Sequence, residues 1–232
     1  DVRRLSTSLA GAEVRAQGRI EDGGELVDLD LRIEGLRLDD PALLAALGPV
    51  GDEIRDEFSA AGRADILLTL RKDHGGPLRY EAVVDLIDAT LVYVGRRKVG
   101  ETTPAGNPMR DGFPYAAEHC FGRVTVTPGQ VAFDRIEGRH GGARIRIRGQ
   151  DERSRTGGPT GYVRWGDGDT EIALTIEATQ IAVDADLEAA VEGSTFAGFL
   201  DRFRPLGTID RLVLDVVKRP HLDRSAAVER SR

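Results

Sequence analysis

Four histidines, one cysteine and a few short acidic or glycine-rich clusters are the residues whose types and spacing invite chemistry. His119 and Cys120 are the one adjacent His–Cys pair, and a thiol beside an imidazole is the usual makeup of a nucleophile with its base. On an extended segment neighbouring side chains point to opposite faces, so these two are expected to stand apart, Cys120 as a small buried strand residue. Of the other histidines, His74 and His140 neighbour turn residues and His221 lies in the tail. No two histidines have the helical or hairpin spacing of a metal site. Asp167-Gly168-Asp169 opens like a calcium loop, but no Glu follows at the required position, which leaves turn chemistry. Gly157-Gly158-Pro159-Thr160-Gly161 lacks the Lys and following helix of a phosphate cradle. Arg144, Arg146 and Arg148 alternate with Ile145 and Ile147. That row reads as a solvated outer face, with a lipid headgroup or protein contact as the alternative. The expectation is a protein that is not an enzyme and has no metal or cofactor.

The elements that would position such residues are strands. Val27, Leu29, Leu31 and Ile33 alternate with Asp28, Asp30, Arg32 and Glu34, a strict period of two that gives a strand one apolar and one wet face. The pattern returns in Ile66-Leu68-Leu70, Tyr80-Ala82-Val84-Leu86, Val124-Val126, Ile145-Ile147, Ile172-Leu174-Ile176 and Leu212-Leu214-Val216. Turn residues separate these runs at Asp22-Gly23-Gly24, His74-Gly75-Gly76-Pro77, Thr127-Pro128-Gly129, Arg139-His140-Gly141-Gly142 and Gly166-Asp167-Gly168-Asp169, so most neighbours should pair as antiparallel hairpins.

The chain also matches itself. At an offset of 145 residues, 25–31 falls on 170–176, Leu36 on Ile181, Asp39 on Asp184, Phe58 on Phe203, Gly62 on Gly207 and Asp65 on Asp210. Upstream, Leu5, Gly11, Val14 and Gly18 fall on Ile136, Gly142, Ile145 and Gly149 at an offset of 131, and the difference marks an insertion in the polar segment 151–169. The last strand of each half matches better at 146. We read a first repeat over 1–130, a second, partial repeat over 131–219 and a flexible tail over 220–232. Each repeat carries a helical insertion. In the first, Asp40-Pro41 starts a helical pair over 41–61, with Val50, Ile54 and Phe58 on one stripe and Gly62 ending it. In the second, a helical segment lies over 186–204, within which Ser194 caps a helix carrying Phe196, Phe199, Leu200 and Phe203. Residues 95–112 read as a loop.

Composition narrows the class. Of 232 residues 28 are glycine, well above the roughly 7% of average proteins, as a turn-rich β protein requires. A net charge of −7 argues against nucleic acid, and no apolar run is long enough to span a membrane. The chain begins inside a repeat motif and shows no signal peptide, which suggests a fragment. The architecture expected is mainly β: an elongated, curved antiparallel sheet of tandem repeats with short helical insertions, forming a groove. Its apolar face must be covered by a second sheet or by the helices, or else remain a trough for acyl chains. The lining would be Val27, Leu29, Leu31, Ile33, Ile66, Leu68, Leu70, Val84, Leu86, Val124, Val126, Ile145, Ile147, Ile172, Leu174, Ile176, Leu212 and Leu214.

One series of residues resembles a known family. Phe113-Pro114-Tyr115, Phe121-Gly122-Arg123-Val124, Val131-Ala132-Phe133, Ile136, Gly138, Gly141-Gly142, Ile145, Ile147 and Gly149 resemble the recurring segment of AsmA-like and TamB-like bacterial envelope proteins. Phe58…Gly62…Asp65 and Phe203-Arg204-Pro205-Leu206-Gly207 resemble a helix-then-Pro-x-Gly element seen in some of them. The resemblance implies a curled sheet with a hydrophobic interior that bridges inner and outer membranes in the periplasm. It further implies phospholipid as partner, a part in phospholipid transport and outer-membrane biogenesis, and an inner-membrane anchor outside this stretch. The chain departs from the family in lacking that anchor and a long run of repeats. The alternative reading is a structural or adhesive β scaffold that binds other proteins through its edges.

Overall fold

The alternation of apolar and polar residues produces strands throughout, and nearly all of them join one sheet. The computed structural model describes residues 2–9, 11–41, 58–94, 97–102, 108–110, 113–148, 161–166, 169–192, 202–203 and 205–218. The strands in chain order are β1 (Val2–Leu9), β2 (Ala12–Glu21), β3 (Leu26–Arg37), β4 (Phe58–Lys72), β5 (Arg79–Tyr93), β6 (Arg97–Thr102) and β7 (Pro108–Arg110). They continue as β8 (Phe113–Thr127), β9 (Gln130–His140), β10 (Ala143–Arg148), β11 (Gly161–Gly166), β12 (Asp169–Ala182) and β13 (Thr208–Lys218), with a short helix α1 (Ala185–Ala190) before β13. Eleven strands make one sheet in the order β1-β2-β3-β4-β5-β8-β9-β10-β12, with β13 on the far side of β12 and β11 beside β9 and β12. Every pairing is antiparallel, as hairpin turns between period-two strands dictate. No break falls at residue 130, because β8 pairs with β9 right up to Thr127 opposite Gln130.

Several sequence expectations are corrected. Residues 58–61, expected to end the helical pair, begin β4, where Phe58 stands opposite Tyr93 and Ala61 opposite Thr90. The four-residue spacing of Val50, Ile54 and Phe58 fits a helix locally, but pairing with β5 satisfies the backbone of 58–61 instead. The remainder of that helical pair, 42–57, lies outside the described residues, as do the tail and 193–201 and 204 of the expected helical segment over 186–204. The expected loop 95–112 contains β6 and β7, which pair with each other. The polar insertion is partly strand. β10 pairs with residues 136–140 of β9 and 175–179 of β12, while β11 pairs with 130–133 of β9 and 169–173 of β12. β10 and β11 therefore share one path across the sheet, interrupted between Arg148 and Gly161.

A line of β-bulges crosses the strands. The register shifts between Ile33 and Leu36, Ala61 and Arg63, Leu86 and Ala89, and Glu118 and Arg123. Left-handed backbone sits at these places: Gly35 (φ 71°), Gly62 (96°), Asp88 (54°), His119 (51°), Gly122 (146°) and, further on, Arg135 (47°) and Gln180 (56°). Each extra residue bends its strand and sharpens the local twist. Gly62 lies against Asp88 and Ala89, and Gly122 against Arg135 and Ile136. A Cβ on either would come within 2.6–2.7 Å of the neighbouring strand's backbone. Glycine is required at both for conformation and for space together.

Some of these features recur at the offset of 145. Leu38 N–H donates to Gly62 O at 3.0 Å, as Val183 N–H does to Gly207 O at 3.0 Å. Gly35 N–H donates to Asp65 Oδ1, and the Gln180 amide reaches Asp210 Oδ1. The better match at 146 in the last strand also has a cause. Three β3 residues step from Ile33 to Leu36 while β4 takes two, whereas β12 and β13 stay in step from Ala178 opposite Leu212 to Ile181 opposite Ile209.

Past the bulges lies the closed core: Ala64, Leu86, Ala89, Tyr115, Ala117, Cys120, Ile136, Ala143, Ile145, Ala178 and Ile181. α1 covers it with Leu187 and Ala190, and Val191 just after the helix joins them. The helix starts where Asp184 accepts a hydrogen bond from Leu187 N–H at 3.0 Å, ahead of the expected cap at Ser194. Asp184→Ala removes that cap and should cost about 1 kcal/mol. Amide exchange at Leu187 and a lower thermal midpoint would register it, with exchange in β3 and β4 unchanged.

Candidate functional site

Direct cross-strand partners share a face, so the register tests whether the apolar residues form one surface. Ile33 stands opposite Val14 and Ile66; Ile66 opposite Val84; Val84 opposite Val124; Val124 opposite Phe133. The neighbouring row runs Ala16, Leu31, Leu68, Ala82, Val126, Val131, Val163. Leu29 faces Leu70, Ile147 faces Ile136 and Ile176, and Leu212 faces Ala178. By register and alternation all eighteen expected lining positions fall on this one face, Ile172 and Leu214 by backbone position alone.

That face divides in two. Leu86 and Ile145, each 7% exposed, belong to the closed core and are removed from the candidate lining. Leu86 sits beside the β5 bulge, and Ile145 lies in the end of the sheet that α1 covers. Val84, Val124, Ile147, Ile176 and Leu212 are half-buried and pack along the core's border. Val27, Leu29, Leu31, Ile33, Ile66, Leu68, Leu70, Val126 and Leu174 are half-buried as well, and they lie outside the core cluster. A strip of apolar side chains thus remains partly open to solvent.

The opposite face is a lattice of ion pairs. Arg71 reaches Asp28 at 3.1 Å and Asp30 at 2.8 Å, and Arg123 grips Asp85 through Nε at 2.7 Å and a terminal nitrogen at 3.0 Å. In the arginine row, Arg146 pairs with Glu137 at 3.2 Å and Arg148 with Glu177 at 3.2 Å, the latter carboxylate also held by Arg211 at 2.7 Å. These arginines are occupied in tying strands together across a solvated face. Exposed pairs such as Arg123–Asp85 and Arg146–Glu137 contribute little each, whereas Glu177 is the more sheltered carboxylate, its side chain 15% exposed.

The residues whose types invite chemistry are dispersed. His119 is exposed and its Nδ1 lies 2.6 Å from Asp88 Oδ1, while Cys120 is fully buried with its thiol directed at Ala117 O, 3.2 Å away. Gly138 on β9 leaves the space that this sulfur fills. His74 meets Asp22 at 2.7 Å across a turn. Among the described residues no three His, Cys, Asp or Glu side chains gather as a metal would require, and no helix is long and apolar enough to cross a membrane.

One polar cluster escaped the sequence reading. His140 stacks on Tyr115 at 3.9 Å between ring centroids, and its Nδ1 lies 2.9 Å from Ala116 O and its Nε2 3.5 Å from Asp186 of α1. The first two contacts hold His140 against β8, and the third ties it to α1 over the core. No local signal announces the cluster, since Tyr115, His140 and Asp186 lie far apart in the chain.

Burial pushes the Cys120 thiol up from 9.0 to about 11. It also pushes the Tyr115 hydroxyl up from 10.0 to about 12, with the Asp184 and Asp186 carboxylates adding to the effect. Both groups ionise more readily in the unfolded chain. The stability they contribute is whole below pH 9.0 and is lost as pH rises through about 11 and then about 12. Urea midpoints should fall over that alkaline window, and a thiol reagent should label Cys120 at neutral pH only after unfolding.

Compared with known protein families, curated proteins and solved structures, the chain finds no match.

Proposed function

We propose that this chain is a non-enzymatic segment of a bacterial cell-envelope protein that holds or conducts phospholipid acyl chains along the open part of its sheet. The observation that carries the reading is the half-buried apolar strip. Rows of Val, Leu and Ile continue from strand to strand, stay partly exposed, and border a core that the chain closes for itself. An acyl chain laid across such rows removes its own methylenes and the strip's side chains from water. Each buried CH₂ returns about 0.8 kcal/mol, so a sixteen-carbon chain gains on the order of 10 kcal/mol without precise polar contacts. Among its described residues the strip is lined by Val, Leu and Ile, which suits a ligand recognised by its tail. The segment's resemblance to AsmA-like and TamB-like proteins supports a periplasmic setting between two membranes and a part in phospholipid transport. Purified protein extracted with organic solvent should release phospholipid on mass spectrometry, and delipidated protein should take up a fluorescent fatty acid. Protein that carries no lipid and binds none overturns the reading.

A further inference from the structure

The half-buried strip ends in a pair of charges. On β4 the alternation Ile66, Leu68, Leu70 continues on the same face to Lys72, which stands opposite Val27 of β3. Val27 in turn stands opposite Ile20, so an ammonium shares the strip's last row with two apolar residues. The Lys72 side chain is only 23% exposed. Its methylene stem is sheltered at the rim while the head group stays wet, as long cationic side chains favour.

Lys72 Nζ donates to Glu25 Oε1 at 3.2 Å, and Gly75 N–H donates to Glu25 Oε2 at 3.4 Å. Lys72 first, and then the Gly75 N–H, hold the Glu25 carboxyl below the usual carboxylate range, which keeps it ionised. The neighbouring charges at this end are coupled among themselves, His74 with Asp22 at 2.7 Å and Arg79 with Asp73 at 2.6 Å. Glu25 is 54% exposed, and a pair so open to water is held weakly. Separating it for a ligand therefore costs little, provided that the ligand gives each charge a new partner.

We infer that Lys72 and Glu25 receive a zwitterionic phospholipid headgroup, its phosphate on Lys72 and its amino cation on Glu25. The acyl tail then runs from this rim along β3 and β4 toward the closed core. This assignment rests on the acyl reading of the strip and gives the strip a head end. A zwitterion exchanges one ion pair for two. An anionic head without an amino group would take Lys72 away and leave the Glu25 carboxylate facing it, while an uncharged head satisfies neither. From Val27 to Ile33 the strand runs about 20 Å at its usual rise. That is room for a tail of the kind that two leaflets lay end to end within about 30 Å of bilayer core.

The test uses the full chain, delipidated, and three single-tailed ligands of one chain length: lysophosphatidylethanolamine, lysophosphatidic acid and monoacylglycerol, each below its micelle concentration. The zwitterion should bind about fivefold tighter than monoacylglycerol, the size expected of charge-assisted hydrogen bonds partly open to water. Lys72→Gln should erase that advantage. Glu25→Gln should weaken the zwitterion and strengthen lysophosphatidic acid, because the carboxylate that competes for Lys72 is gone. A variant that merely loosened the sheet would move both ligands the same way, and circular dichroism checks that the fold is kept. If all three ligands bind the unaltered chain alike, the headgroup site is overturned while the acyl strip stands. If none binds, both fall. If Glu25→Gln shifts the two charged ligands together, the assignment of phosphate to Lys72 and amine to Glu25 is wrong.

Discussion

Gly122→Ala is expected to unfold the middle of the sheet. At φ 146° the residue lies where an L side chain is rarely found, and the new Cβ would sit 2.7 Å from Arg135 O and from Ile136 Cα. Both obstacles are backbone of β9, so no rotamer change relieves the clash. The strain alone costs about 1–3 kcal/mol, and forcing β8 from β9 loosens the pairing that joins one half of the chain to the other. A total loss of about 3 kcal/mol or more is expected, a large part of the stability of an ordinary domain. Gly142→Ala is the control, since nothing stands within 4 Å of its Cβ and its backbone is not left-handed. Urea unfolding should show a collapsed midpoint for the first variant and little change for the second. Equal midpoints would refute the account of the bulge line.

Leu68→Glu carries the largest expected effect on binding. Leu68 stands opposite Leu31 and Ala82 in the half-buried strip, outside the closed core. A carboxylate there stays hydrated in the free protein, so the fold should tolerate it. Under a bound acyl chain it would have to shed water against methylenes, which is strongly unfavourable for an unpaired charge. Even a discounted penalty of about 1.4 kcal/mol weakens fatty-acid binding tenfold, and more is expected. Leu67→Glu is the matched comparison. Leu67 is the next residue, half exposed at 50% on the ion-paired face, and its substitution should leave uptake as it was. Equal losses from the two changes would show that the strip is not the binding surface.

The alternation in 27–33, 66–70 and 172–176 was legible because a strand's two faces are written locally, one residue after another. The turns at Asp22-Gly23-Gly24 and Thr127-Pro128-Gly129 were legible for the same reason, since each rests on a few adjacent residues. Phe58 misled because an apolar spacing of four suits a helix, and nothing near it reveals that β5 will come alongside. The segment 151–169 read as insertion throughout, because seeing Gly161–Gly166 as strand requires knowing that β9 and β12 leave a place for it beside β10.

The eighteen candidate lining residues divide along the same line between local and distant causes. That they share a face follows from period two and from hairpin registers, both of which the order of residues dictates. Which of them stay open was decided by contacts between segments far apart in the chain. The bulges at Gly35, Gly62, Asp88 and Gly122 bend the sheet, and α1 folds back through Leu187 and the Asp186–His140 contact to cover one end. Leu86 and Ile145 were buried by that closure, while Leu31 and Leu68 were left half-exposed. Burial depends on what arrives from elsewhere in the chain, and a strand's own pattern of side chains carries no record of it.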